Sequence, residues 1–162
     1  MSWPTLVDVG RWQIRQDDLS SREVEALLEL HAAEMVTNSP AGACHFLPID
    51  VLRDPAVTVW SAWDGDDLAG CGALQGLDEH HGEVKSMRTA PDHLGRGVGR
   101  SLLDHIVAVA RERGYEQLSL ETGTGDSFGA AVRLYEHVGF QACGPFADYV
   151  DNGFSRFFTL RL

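Results

Sequence analysis

A strand that runs through a glycine-punctuated turn into an amphipathic helix constrains this chain more than any other segment. Residues 83–103 read EVKSMRTAPDHLGRGVGRSLL. Val84, Met87 and Thr89 suit a strand, Pro91 stops it, and Gly95, Gly97 and Gly99 follow at every second position. A helix is predicted over 97–113, with Val98, Leu102, Leu103, Ile106, Val109 and Ala110 on its buried face and Gly114 at its C-terminal cap. Residues 115–121 then read as a strand. A strand–helix–strand unit of this length implies parallel pairing with a right-handed crossover. A turn without Cβ atoms lets a ligand reach the backbone. The helix start beyond it presents free N–H groups and the positive end of a dipole. The segment therefore suits phosphate oxygens.

The flanking elements complete one mixed α/β sheet with helices on both faces, predicted as one domain over 1–162. Residues 11–16 read as a first strand. A helix over 19–36 is capped by Ser20 or Ser21 and carries Val24, Leu27, Leu28, Leu30 and Met35 as an apolar stripe. Residues 37–48 form a loop, 49–53 a short helical turn. Strands 57–63 and 67–77 make a hairpin around Trp63-Asp64-Gly65-Asp66-Asp67. Residues 78–82 turn the chain into the strand at 83–89. A helix over 127–137 is closed by Gly139, and 140–143 and 154–162 are the last strands.

Net charge narrows the ligand. Thirteen basic against 24 acidic residues leave −11, a field that disfavours nucleic acid. An anionic cofactor must then be held by local N–H groups and a few cations, for which Arg96 and Arg100 are placed. No apolar run approaches a bilayer span, so no membrane partner is expected. Residues 1–12 lack a basic region followed by an apolar stretch, and the expected location is cytoplasmic. Cys44, Cys71 and Cys143 are read as buried free thiols. His80, His81 and Glu83 make a poor metal site, because adjacent histidines point apart, and no metal is expected. Trp3, Trp12, Trp60 and Trp63 are read as packing residues.

Three phosphate-binding motifs compete for the glycine turn. A P-loop needs a Lys followed by Ser or Thr, which Gly95 onward does not offer. A dinucleotide fold wants GxGxxG after a first strand; here the spacing is GxGxG, deep in the chain. The third fits better. Gly95-Arg96-Gly97-Val98-Gly99 followed by SLL, together with the downstream run AVRLYEHVGF at 131–140, resembles the acyl-CoA loop and the AxxLYxxxGF segment of the GNAT family of N-acetyltransferases. The resemblance covers residues 57–140, and LETG and PFADY further resemble small bacterial acetyltransferases of undefined acceptor.

The resemblance implies a GNAT-like fold, a mainly antiparallel sheet of about six to seven strands. It implies transfer of an acetyl group from acetyl-CoA to the primary amine of a small molecule by direct attack in a ternary complex. Gly95, Arg96, Gly97, Val98, Gly99 and Arg100 would hold the pyrophosphate. Met87, Arg88 and Thr89 would pair with the pantetheine arm and polarise the thioester carbonyl. Tyr135 stands where the family places its general acid; a phenol buried in the core is the plainer reading. An amine near pKa ~10 needs a base. Glu83, through a water, is the first candidate and Glu121 the second. Asp148 and Tyr149 would line the acceptor side. Lys85 and Arg88 would pair with acidic residues, or one would receive an anionic acceptor such as an amino-acid carboxylate. A homodimer through the last strands is a further expectation from the family.

Two positions depart from the pattern. Leu94 stands where a Gln or Arg usually opens the loop, beside His93. Phe128 stands where many members carry an Asn to the pantetheine arm, leaving Ser127 or Asp126 to substitute. These departures keep open a non-catalytic acyl-CoA-binding or sensing module. A protein or peptide N-acetyltransferase is the third reading.

Overall fold

The computed structural model describes residues 12–43 and 48–162. Trp3, Arg11 at the start of the expected first strand, and Cys44 lie outside the described residues. Seven strands form one sheet in the order β1-β2-β3-β4-β5-β7-β6. These are β1 (Gln13–Asp17), β2 (Val57–Asp64), β3 (Asp67–Gly76), β4 (His81–Thr89), β5 (Gln117–Gly123), β6 (Gln141–Cys143) and β7 (Ser155–Arg161). Neighbours are antiparallel except β4 and β5, the parallel pair expected from the crossover. Helices α1 (Arg22–Asn38) and α2 (Ile49–Leu52) pack on one face, α3 (Val98–Glu112) and α4 (Gly129–Val138) on the other.

Local chemistry explains the boundaries. Ser21 caps α1, its Oγ accepting from Val24 N–H at 3.3 Å. Val24, Leu27 and Leu28 bury the stripe, whereas Leu30 and Met35 are half-buried where α1 leaves the core. The α3 face is Val98, Leu102, Leu103, Ile106, Val107 and Ala110. Val107 thus takes the fully buried place expected of Val109, which packs at the margin of the core. Both positions lie within one helical turn, and the wide apolar stripe of a sheet-covering helix accommodates either.

Two apolar clusters sandwich the sheet. Leu74, Val84, Leu118, Leu120 and Phe158 meet α3 and α4. Val57, Val59, Cys71 and Ala73 meet α1 and α2. Strand alternation divides β4 and β5 the same way. Val84, Leu118 and Leu120 face α3, while Glu83, Lys85, Ser119 and Glu121 face the α1 side.

Among the described residues no helix is long and apolar enough to cross a membrane.

Candidate active site

β4 and β5 pair at three positions, His81↔Gln117, Gly82↔Leu118 and Glu83↔Ser119, and then part. The split leaves a cleft through the sheet enclosing about 170 Å³. Glu83, Lys85, Arg88 and Glu121 line it from the α1 side, and Phe128, Ala131 and Tyr135 from the α4 side. Both candidate bases and the candidate acid therefore border one space, although they come from opposite faces.

A bulge shapes the β4 wall. Lys85 lies opposite Ala73 and Arg88 opposite Cys71, so Ser86 and Met87 together oppose Gly72. Ser86 takes φ 55°, a left-handed backbone rare for a residue with a side chain. Met87 fills the room above Gly72: a Cβ there would come within 2.5 Å of its Sδ. Bulging interrupts the ladder to β3, and the parting from β5 removes the other neighbour. The backbone at Met87–Thr89 is thus free of regular pairing on the cleft side, as an extended arm of a ligand would require.

Glu83 is buried at 3% exposure and carries a tight network. Tyr149 Oη–H donates to its Oε2 at 2.5 Å, and Lys85 Nζ donates to the same oxygen at 2.9 Å. Lys85 Nζ also donates to Tyr149 Oη at 2.8 Å. The loop before β7 thereby reaches the sheet, steadied by Phe146, which packs edge-on to Tyr149 and Phe157 and at a tilt to His81. Burial, then the hydrogen bond and charge of Glu83, push the Tyr149 phenol up, so it stays protonated and donates. Asp148, expected on the acceptor side with Tyr149, is exposed and outside the cleft lining. Glu121 accepts from Ser155 Oγ at 2.7 Å.

Tyr135 is buried at 7% exposure, edge-on to Phe140. Burial pushes its phenol up to about 12. It is therefore both a core residue and a cleft residue, and it holds its proton at neutral pH. The Cys71 thiol, fully buried, is likewise pushed up to about 12 by burial.

The glycine turn has the backbone that an anion cradle needs. Gly95 and Gly97 take φ 74° and 87°, and Gly97 caps α3 without any side-chain hydrogen bond, so the first N–H groups of the helix stay open. Arg96 is exposed. Arg100 is shared with Asp104, its Nε 3.0 Å from the carboxylate, which leaves its outer donors for a ligand. Leu94 is 66% exposed and adds no polar group. His93 is buried, edge-on to Trp12, and belongs to the core rather than the turn. Phe128 packs edge-on to Phe154, and Ser127 beside it lines the cleft.

Two cleft residues that hold Arg88 carried no prior expectation. His31 and Glu34, one helical turn apart on α1, reach across to Arg88. The i, i+3 spacing places them on one face, but the apolar stripe had already assigned that helix to packing. Among the described residues no group of three or more His, Cys, Asp or Glu could hold a metal ion.

Comparisons with known proteins bear on the family and the fold. A model of the Acetyltransferase (GNAT) family matches residues 17–140. The chain is similar to the uncharacterized N-acetyltransferase YsnE of Bacillus subtilis (strain 168), 52% identical over 149 residues, covering 92% of this chain and 99% of that one. A solved structure from Klebsiella pneumoniae subsp. pneumoniae MGH 78578, assigned provisionally as an acyl-CoA N-acyltransferase, matches at a TM-score of 0.76 and 29% identity over 93% of this chain and 97% of that one. A GNAT family acetyltransferase from Elizabethkingia anophelis, solved with acetyl-CoA bound, matches at a TM-score of 0.66 and 18% identity over 94% and 99%.

Proposed function

The chain belongs to the GNAT family of acetyltransferases, enzymes that draw an acetyl group from acetyl-CoA, and from that premise we propose that it acetylates the primary amine of a small molecule by direct attack in a ternary complex. One observation carries the reading: Glu83 and Tyr135 enter the same cleft from opposite faces of the sheet.

The residues present fit acetyl-CoA. The open N–H groups of 95–100 suit its pyrophosphate, and the backbone edge of Met87, Arg88 and Thr89 that faces the cleft, unpaired with β5, suits its pantetheine arm. Ser127 offers the polar contact that Phe128 cannot. Bound acetyl-CoA supplies an activated acyl carbon with a thiolate leaving group.

The chain's own groups then manage charge and protons. A backbone N–H of Met87–Thr89 would polarise the carbonyl oxygen and stabilise the negative charge that develops on attack. The amine loses its proton to Glu83 Oε1, directly or through a water, because Oε2 is already engaged by Tyr149 and Lys85. Glu121 is the second candidate for that step. As the C–S bond breaks, Tyr135 gives its proton to the sulfur. Its high pKa keeps that proton available over the working range.

The proposal extends to a cytoplasmic location, supported by the free thiols of Cys71, which is buried, and of Cys143, which is exposed where burial was expected. It extends also to a homodimer through the three-residue edge strand β6.

The test is acetyl transfer from acetyl-CoA to a panel of amino acids, polyamines, amino sugars, aminoglycosides and short peptides, read by CoA release and product mass. Turnover with a small amine supports the reading. Turnover with peptides alone, or acetyl-CoA binding without turnover on any amine, overturns it.

A further inference from the structure

The geometry points to an acceptor that carries a carboxylate beside its primary amine, with Arg88 and Lys85 as the residues that receive it. The inference rests on the acetyl-transfer reading above and names the class of amine that the cleft takes.

In an unbroken strand, residues three apart face opposite sides of the sheet. Lys85 and Arg88 are three apart, yet both face α1. The bulge at Ser86 and Met87 absorbs one residue, so the two cations sit opposite Ala73 and Cys71, which share a face. Two positive charges are thereby brought onto one wall of the cleft, beside the two carboxylates proposed to handle an amine.

Each cation keeps donors in hand. The Arg88 guanidinium has five N–H donors. Its Nε donates to His31 Nδ1 at 3.1 Å and its Nη1 meets Glu34 Oε2 at 2.6 Å. Its Nη2 makes no hydrogen bond among the described residues. The Glu34 side chain is 46% exposed, and an ion pair with so wet a partner is weak. An incoming carboxylate can take the Nη1–Nη2 edge as a two-pronged acceptor and release Glu34 to water. Lys85 uses two of its three protons on Glu83 and Tyr149, and the third remains. His31 holds the guanidinium as a neutral acceptor, since burial and then the charge of Arg88 lower its pKa to about 4.

Charge balance favours the same class. With Glu34 released, the acids Glu83 and Glu121 share the cleft lining with the cations Lys85 and Arg88. A zwitterion preserves that balance, its ammonium toward the acids and its carboxylate toward the cations. A simple alkylamine leaves the Arg88 edge without a substrate partner.

The experiment compares free L-amino acids with their carboxamides as acceptors, in the wild-type protein and in Arg88→Gln, Arg88→Lys and Glu34→Gln. The free acid is expected to exceed its carboxamide in kcat/KM by at least about 30-fold. Arg88→Gln should bring the two within about threefold, Arg88→Lys should restore part of the gap, and Glu34→Gln should widen it. Equal use of acid and carboxamide by the wild-type protein, or a gap unmoved by Arg88→Gln, overturns the inference. If no amine is acetylated, the acetyl-transfer reading has failed by itself. Calorimetry of the free acids and carboxamides onto the CoA-saturated protein then decides the inference: a preference for the acid that Arg88→Gln removes upholds it, and equal or absent binding overturns it. Glu34→Gln, altered at a half-exposed side chain, keeps the test sound should the Arg88 variants misfold.

Discussion

The hydroxyl of Tyr149 and the carboxylate of Glu83 meet at 2.5 Å although 66 residues separate them in the chain. Lys85 closes the triangle on the same carboxylate oxygen. The loop before β7 is thereby fastened to the strand that forms the cleft wall, and both bonds fall on one oxygen of Glu83. Glu83→Gln should lower kcat by roughly 10²–10⁴ while acetyl-CoA affinity is kept. Because Lys85 loses a buried counterion, stability should also fall, by up to about 3–5 kcal/mol. Steady-state kinetics, cofactor titration and urea denaturation of the same preparation separate the two effects. Undiminished kcat would pass the base to Glu121.

Tyr135 offers a cleaner substitution. Its phenol makes no hydrogen bond among the described residues, and its ring is packed, so Tyr135→Phe should leave stability within about 0.5 kcal/mol of wild type. Loss of the acid should cost roughly 10²-fold in kcat. With its pKa near 12, Tyr135 should contribute no alkaline fall in rate below about pH 11. A pH–rate profile of both proteins checks this. Identical rates would return Tyr135 to packing alone.

Gly97 holds φ 87° at the cap of α3. Gly97→Ala forces a Cβ into the left-handed region and should cost about 1–2 kcal/mol. Gly97→Asp adds a carboxylate where phosphate oxygens are expected, and should weaken acetyl-CoA binding by at least about tenfold through like-charge repulsion. Calorimetric titration with acetyl-CoA measures the second effect, thermal melting the first. Equal affinity in Gly97→Asp and wild type would move the pyrophosphate away from this turn.

Acid should loosen the α1–β4 contact. The pKa of His31 falls from 6.5 in the open chain to about 4 in the folded protein, through burial first and Arg88 second. Between these values the unfolded chain binds the extra proton. Stability therefore drops as pH falls through this window, by roughly 3 kcal/mol in all, with no further loss from this group below about pH 4. His31→Gln should remove that component. Urea denaturation at pH 7 and pH 4.5 compares the two proteins, and an equal drop in both would refute the assignment.

Much of the architecture was readable from residue types. Pro91, the glycines of the turn and the apolar face of α3 announce a strand–turn–helix crossover, and the run ending at Gly139 and Phe140 marks the second motif. These are local signals, each written in a few adjacent residues. The cleft chemistry was legible only in part. Strand alternation puts Glu83 and Lys85 on one face, as found, but it puts Arg88 on the other. The bulge that reverses this is carried by Ser86, a residue with no marked taste for φ 55°. Bulges answer to the register of the partner strand, and Gly72, which makes room for Met87, lies fourteen positions before Ser86. Tyr149 was expected on the acceptor side with Asp148, and its bond to Glu83 depends on how a loop folds back. Likewise, nothing in the α1 stripe says which strand residue His31 and Glu34 will find. Long-range pairing of polar groups leaves no periodic trace.

The three residue pairs between β4 and β5 join a four-stranded portion of the sheet to a three-stranded one. Among the ladders of the sheet, so short a seam should open before the longer ones on either side of it. A ligand that lies along both parting strands acts as a splint across it, adding about 2.7 kcal/mol at a hundredfold excess over its Kd. Ligand bound there should therefore slow opening between His81–Glu83 and Gln117–Ser119 more than opening of the longer ladders on either side.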